Sequence, residues 1–353
     1  MIINIAAIIF ALGIIIFVHE LGHFAAAKLS GVKVDRFSIG FPPHALKKQY
    51  GETEYALGII PLGGYVKMAG MLDESMDEEL TGASWEFASK SLPKKVFIIT
   101  AGVLMNFLLA ALLFGVITGL TGIPEVSEST VVQEVVPDYP AASAGISQGD
   151  RIVAVNGKKV ESWEQLTEII HNLPNTEISV TWVSDDKRQS ATLTTQVDRQ
   201  LVEGEIQEIG LIGIAPETTY RDAGILEAVG SGLSQTWWWG KVTVLSLKML
   251  VTGEESLRSV GGPIFIAKLA GDSARSGFLD LLNLVAIISI NIGFINILPV
   301  PALDGGHLSI ILIEGVKGKP LSMKTRMIVQ QVGMALLLTL MIFVIYNDIV
   351  RLL

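Results

Sequence analysis

The chain has 353 residues, of which 50% are hydrophobic and only 17% charged, and its mean hydropathy is +0.51. These values exclude an ordinary soluble protein and are typical of a polytopic membrane protein with a water-facing domain. The chain has no cysteine, which excludes disulfides, zinc ribbons and thiol nucleophiles, and its net charge of -9 argues against nucleic acid as a partner.

An apolar segment from Ile2 to Val18 predicts the first transmembrane helix. We interpret it as retained rather than as a signal peptide, because it lacks a basic leading region and a plausible cleavage site. Lys28, Lys33 and Arg36 follow it, and the positive-inside rule places this end of the helix towards the cytoplasm. The N-terminus is then expected outside.

The end of this segment carries the sequence His19-Glu20-Leu21-Gly22-His23, an H-E-x-x-H motif. On a helix, His19 and His23 project from one face and can bind one zinc ion, and Glu20 can carry a proton from water to a leaving amine. The bare pattern also occurs by chance. Ionisable groups at membrane depth are costly without a partner, however, and this cost favours a metal site that still needs a third ligand.

Residues 32–68 alternate loosely between apolar and polar and predict short strands. Turn sequences interrupt them at Gly40-Phe41-Pro42-Pro43 and at Pro61-Leu62-Gly63-Gly64-Tyr65. Two interpretations stay open, a cytoplasmic hairpin or a sheet that dips into the membrane beside the metal. The second is allowed only where the sheet lines a cavity or is covered by protein.

A second apolar segment, Val96 to Leu120, predicts the second transmembrane helix. Ala101 and Gly102 suit close helix packing. We interpret Asn106 as a packing residue too, with hydrogen bonding near the site as the alternative.

Residues of about 125–220 have the composition of a soluble domain. Within it, residues 149–157 predict a strand that ends in an Asn-Gly turn. The run from Ala144 to Gly157, A-G-I-x-x-G-D-R-I-V-A-V-N-G, resembles the core of PDZ domains, which bind extended peptides by strand addition. After this domain, Trp237-Trp238-Trp239 beside Lys241 opens a segment that could span the membrane, although its charge favours an amphipathic helix at the surface.

The third apolar span, Leu281 to Leu298, leads into a sequence broken by prolines and glycines, from Asn296 to His307. Asp304 lies in this apolar region, where an unpaired charge is expensive, and zinc ligation removes that cost. We therefore predict two histidines and Asp304 as the ligands, with one position open for water, and keep His307 as the competing third ligand. Ile328 to Ile349 predicts the fourth span, which puts the C-terminus outside as well.

Together, the H-E-L-G-H sequence in the first span and N-x-x-P-x-P-x-L-D-G-G at the third resemble the site-2 protease family of intramembrane zinc metalloproteases. The likeness is greatest to the bacterial regulator-of-sigma-E protease branch and covers nearly the whole chain. It implies one Zn²⁺ per chain, and the implied site residues are the zinc ligands His19, His23 and Asp304, the catalytic base Glu20, and the substrate-binding residues Asn296, Pro299, Pro301, Gly63, Gly64 and Tyr65.

The resemblance also implies partners and a location. The expected substrates are single-pass membrane proteins such as anti-sigma factors or remnant signal peptides, cut in the bacterial inner membrane with the zinc site towards the cytoplasm and the PDZ domain outside. The sequence departs from the family at Pro42, where a glycine is usual. It also has one PDZ domain where the best-known sigma-E proteases have two. An ion transporter would not need Glu20 or a PDZ domain, and an inactive PDZ scaffold would not need the ligand set.

The predicted fold class is a polytopic α-helical membrane protein with four transmembrane helices, a membrane-associated β-sheet and an inserted α+β PDZ domain. The expected segments are the first transmembrane helix with the zinc motif (1–30), the re-entrant sheet and loop (31–92), the second transmembrane helix (93–122), the PDZ domain (123–220), interfacial segments (221–280), the third transmembrane helix with the Asp ligand and a cytoplasmic loop (281–327), and the fourth transmembrane helix (328–353).

Overall fold

The computed structural model describes residues 2–71, 81–202, 205–319 and 321–352. The chain divides into two compact units, a membrane unit (Met1–Thr118 with Ile225–Leu353) and an inserted unit (Gly119–Gly224). The helices are α1 (Ile2–Leu29), α2 (Leu92–Thr121), α3 (Pro140–Ser143), α4 (Trp163–His171), α5 (Ile225–Thr252), α6 (Pro263–Ser276), α7 (Phe278–Ile297), α8 (Asp304–Lys317) and α9 (Met323–Leu352).

The strands belong to five sheets in the described part of the chain. In chain order they are β1 (Val34–Tyr50), β2 (Thr53–Met68), β3 (Ile123–Val126), β4 (Val132–Val135), β5 (Arg151–Val155), β6 (Lys158–Lys159), β7 (Glu177–Ser184), β8 (Lys187–Thr194), β9 (Gln196–Val202), β10 (Glu205–Leu211), β11 (Ile214–Pro216) and β12 (Thr218–Arg221).

Among the described residues, four helices are long and apolar enough to cross a membrane, namely α1, α2, α7 and α9. This confirms the predicted number of spans. The first three enclose the core of the membrane unit, where Ile15, Phe114 and Ile290 are fully buried. By contrast, α5 carries Lys241 and Lys248 and is not one of the four.

Helix α1 continues beyond Val18 to Leu29, because the residues after the H-E-x-x-H motif include three alanines and Lys28, which favour helix. The motif is therefore helical throughout. Close packing against α2 depends on Gly22, since a Cβ atom there would lie 2.5 Å from the carbonyl oxygen of Ala101.

The sheet of the membrane unit is formed by β1 and β2, two long strands that bend and pair with each other along three pairs of segments. Segment 34–39 pairs on one side with 64–68 and on the other with 54–57. The other side of 54–57 pairs with 46–49. The short strands expected from the sequence are thus four segments of the two long strands β1 and β2. Segment 64–68, which we call the inner edge, pairs on one side only within the described sheet.

Helix α7 ends at Ile297, and Asp304 is the first residue of a separate helix, α8, where the sequence predicted a loop. The prolines at 299 and 301 lack the N–H groups that would continue α7. Gly305 and Gly306 let the first turn of α8 pack onto this break, because a Cβ atom at either residue would overlap carbonyl groups of residues 297–300.

A buried carboxylate on the last transmembrane helix, α9, forms hydrogen bonds with the start of α6. Asp348, on α9, is 1% exposed and accepts hydrogen bonds from the backbone N–H groups of Gly262, Ile264 and Phe265 at 2.9–3.0 Å. These donors lie at the start of α6, where backbone N–H groups have no partner within the helix.

The inserted unit has its own hydrophobic core, in which Trp182, Ile152 and Leu166 are buried between the sheet β6-β5-β7-β8 and helix α4. Asn156 and Gly157 form the two-residue turn predicted from the sequence, both with positive φ. At its two ends, β3 pairs with β12, so that Ile123 lies opposite Arg221. We call this pair the neck.

Candidate metal centre

Two histidines from α1 and one carboxylate from α8 meet in the interior of the membrane unit. The Nε2 atoms of His19 and His23 are 3.1 Å apart, and Oδ2 of Asp304 lies 3.1 Å and 3.3 Å from them. His19 and His23 are 8% and 5% exposed. Among the described residues, these three form the one cluster suited to a metal ion.

The spacing of these three atoms fits zinc. Tetrahedral zinc with bonds of about 2.0–2.1 Å to nitrogen and oxygen has ligands about 3.3–3.4 Å apart, close to the three measured distances. Oδ2 of Asp304 is also buried without a hydrogen-bond partner, although it lies between two imidazoles. The three atoms are thus grouped closely enough to serve as ligands of one ion.

Helix α2 orients both imidazoles through their second nitrogen. Nδ1 of His23 donates to the carbonyl oxygen of Ile98 at 2.9 Å, and Nδ1 of His19 lies 3.2 Å from Nδ2 of Asn106. Asn106 is therefore a hydrogen-bonding neighbour of the site, and our interpretation of it as a packing residue is wrong. Gly102 leaves room for both rings, since a Cβ atom there would overlap His23 and contact His19.

Glu20 lies on the other side of the histidines, against the inner edge of the sheet. Its carboxylate receives a hydrogen bond from the backbone of Val66. Gly64 allows this approach, because a Cβ atom there would lie 2.8 Å from the carbonyl oxygen of Ser38 and 3.2 Å from Cγ of Glu20. The glycine that the sequence marks as a turn thus brings the strand next to the carboxylate.

A cleft of about 650 Å³ runs between the metal cluster and the inner edge. Gly64 and Tyr65 line it, and a smaller adjoining cavity of about 260 Å³ is lined by Gly63, Gly64 and Asn296. Tyr65 is held by Arg36, whose guanidinium donates to its hydroxyl at 3.1 Å. The structure therefore brings four of the six predicted substrate-binding residues to the cavity.

Pro299 and Pro301 do not line either cavity. Pro301 packs against α9, where a Cβ atom at Gly333 would overlap it. Their effect on the site is indirect, through the break that lets α8 begin at Asp304. The competing ligand His307 lines the cleft but does not belong to the metal cluster.

Sequence reasoning missed several contributors to the cleft, among them Arg36, Phe41 and Gln330. No signal in the sequence connects Gln330, on the fourth span, with a site built from the first three. The carbonyl of Ile98 was missed as well, because a backbone group carries no residue-type signal.

The family model described as Peptidase family M50 matches residues 7–340. The chain belongs to peptidase family M50. It is an intramembrane zinc metalloprotease, as the resemblance implied. The transporter and scaffold alternatives are not supported.

Two relatives align with this M50 peptidase along nearly their whole length. Zinc metalloprotease RasP of Geobacillus kaustophilus is 32% identical over 419 aligned residues, which cover 98% of this chain and 97% of RasP. Regulator of sigma E protease of Haemophilus influenzae is 32% identical over 447 aligned residues, covering 99% of each chain. Both alignments are longer than the 353 residues of this peptidase, so both relatives contain residues that it lacks.

A comparison with solved structures gives similarity to single domains. The crystal structure of the PDZ domain of an SdrC-like protein from Listeria monocytogenes is 20% identical, with a TM-score of 0.22, and covers 26% of this M50 peptidase and 90% of that chain.

The chemistry available in the cleft follows from its residues. Zinc, when bound, polarises a carbonyl group and makes water acidic enough to lose a proton near neutral pH. Glu20 lies beside the cluster and can take that proton and return it to the leaving nitrogen. The low polarity around the buried histidines strengthens each of these electrostatic interactions.

Proposed function

We propose that this M50 peptidase cuts single-pass membrane proteins within their transmembrane segments, with His19, His23 and Asp304 as zinc ligands and Glu20 as the catalytic base. The observation that carries the proposal is the inner edge, a segment of strand that pairs with 34–39 in the described sheet and lies along the cleft beside Glu20. A transmembrane helix bonds its own backbone groups, so its peptide bonds become accessible only when it unwinds. The inner edge supplies replacement partners for the unwound stretch.

The proposed orientation places the metal cluster towards the cytoplasm in the bacterial inner membrane. Basic residues cluster between the first two spans and again between α8 and α9, which supports this orientation by the positive-inside rule. Both termini and the inserted unit then lie outside. The proposed substrates, anti-sigma factors or remnant signal peptides, present a short extracytoplasmic tail and a span that reaches the cleft.

Cleavage should depend on how readily the substrate helix unwinds. We expect a single-span substrate with an Asn-Gly pair at mid-membrane to be cut about fivefold faster than a matched substrate with Leu-Leu there, because glycine costs about 1 kcal/mol in a helix interior. Initial rates are measured with both substrates in the same vesicles. Equal rates would show that unwinding does not limit access, and cleavage outside the span would contradict the proposed function.

The inserted unit is proposed to exclude substrates that still carry a large extracytoplasmic domain. The neck allows a clean test, since Val126 lies opposite Thr218 and residues 127–217 can be replaced by an Asn-Gly turn. We expect this deletion to make a full-length substrate cleavable while leaving the rate on a pre-shortened substrate within about threefold.

The same deletion combined with Glu20→Gln is the control and should cut neither substrate. If full-length substrate stays intact with the deletion variant while the shortened one is cut normally, the filter proposal fails and the protease proposal stands.

A further inference from the structure

Asn106 lies on α2 at the point where three helices of the core meet. It is fully buried, and its Nδ2 atom is 3.2 Å from Nδ1 of His19 on α1. From α7, Ser289 donates a hydrogen bond to its backbone carbonyl at 2.9 Å. Its Oδ1 atom is buried without a partner. Buried polar atoms usually have a hydrogen-bond partner, so the amide oxygen of Asn106, which lies close to a metal ligand and has none, needs a physical explanation.

The two histidines differ in how their second nitrogen is held. The carbonyl of Ile98 faces Nδ1 of His23 and can only accept a hydrogen bond. The partner of His19 is an amide, which carries an acceptor and a donor that exchange places when the side chain rotates by about 180° about its last bond.

A histidine that binds a metal through Nε2 carries its hydrogen on Nδ1, and that hydrogen needs an acceptor. With Nδ2 facing Nδ1, as the two atoms are placed here, the amide can donate only to an unprotonated nitrogen. After rotation, Oδ1 occupies the same position and accepts from the protonated nitrogen.

We propose that Asn106 is the positioning residue for His19. Its Oδ1, turned towards His19, accepts the Nδ1–H of the metal-bound imidazole. The proposal rests on the proposed role of His19 as a zinc ligand. It explains why a side chain with an acceptor, and not an apolar one, occupies this buried position.

The proposal makes different demands on two side chains of nearly the same size. Aspartate keeps an acceptor at Nδ1 of His19, whereas leucine removes it and leaves a buried N–H without a partner. Loss of such a neighbour typically weakens metal binding by about 10–100-fold. Asn106→Leu should therefore bind zinc about 10–100-fold more weakly, and Asn106→Asp should stay within about threefold of the wild type.

The test measures the zinc dissociation constant of the purified full-length chain in detergent, by competition with a chromogenic chelator and without substrate. Ser289→Ala is the matched control, because it removes the neighbouring hydrogen bond to the Asn106 backbone and leaves the amide in place; its zinc affinity should be unchanged. The visible spectrum of the cobalt-loaded protein should change in Asn106→Leu and be retained in Ser289→Ala.

Wild-type zinc affinity in Asn106→Leu would overturn the proposal. Equal losses of zinc affinity in Asn106→Asp and Asn106→Leu would overturn it too, since they would mean that the acceptor at this position does not matter. Thermal unfolding of the metal-free variants separates misfolding from loss of the ligand contact. Should Asn106→Leu not fold, Asn106→Ser takes its place, with a side chain too short to hold His19 and the same expected loss. This experiment measures zinc affinity and no cleavage, so a negative result would not count against the proposed protease function.

Discussion

Replacing Glu20 with glutamine is expected to leave one zinc ion bound per chain and to lower the rate of cleavage by at least about 100-fold. General acid–base groups contribute about 10²–10⁴-fold to rates, and glutamine keeps the size of the side chain while losing the ability to take a proton. Glu20 is not part of the ligand cluster, so metal binding should survive. Zinc is measured by mass spectrometry, and cleavage with a single-span substrate in vesicles.

A matched control for Glu20→Gln is Glu52→Gln, which removes the same kind of carboxylate from an exposed ion pair with Lys28. This variant should cut at the wild-type rate. If Glu20→Gln retains zinc and also cuts at the wild-type rate, Glu20 is not the base, and the protease mechanism derived from its position is wrong.

The second large effect is expected from Asp304→Asn, which should weaken zinc binding by more than about 100-fold and abolish cleavage with it. Loss of a neighbour of a ligand already costs about 10–100-fold, and loss of a ligand costs more. The asparagine has the same shape but no charge to offset the dication. The zinc affinity of the full-length chain is measured by chelator competition, and cleavage is followed in parallel.

Asp280→Asn serves as the control, because Asp280 is an exposed aspartate in the first turn of α7 and lies outside the metal cluster. It should leave both zinc affinity and cleavage unchanged. Normal zinc binding by Asp304→Asn would remove Asp304 from the ligand set, and His307→Ala would then be tested for the same loss.

Much of the fold could be predicted from the sequence, because membrane spans and the Asn-Gly turn depend on local patterns. The grouping of His19 with His23 also follows from helix geometry alone. The pairing of Asp304 with them could be argued only from the free-energy cost of an unpaired carboxylate in an apolar region. Nothing in the sequence places residue 304 beside residue 19. The structure supplies that contact through the glycines that open α8.

The failures have a common physical origin in contacts between distant segments. In the sequence, Asn106 is one of several small or polar residues on a packed helix. Its role follows from its contact with His19 on α1, which the sequence does not show. The inner edge likewise depends on a strand that pairs with two partners, which alternation of side chains cannot reveal. Gln330 reaches the cleft from the fourth span, and no pattern in the sequence links that span to the metal cluster.

The neck has a consequence for how this family can evolve. Because β3 and β12 return the chain to nearly the point where it left, whole domains can be gained or lost there by a single genetic event without altering the spacing of the spans. RasP and regulator of sigma E protease align with this peptidase over 419 and 447 residues, so both contain residues that it lacks. With the proposed role of the inserted unit, a change of domain at the neck would alter the choice of substrate and leave the metal centre as it is.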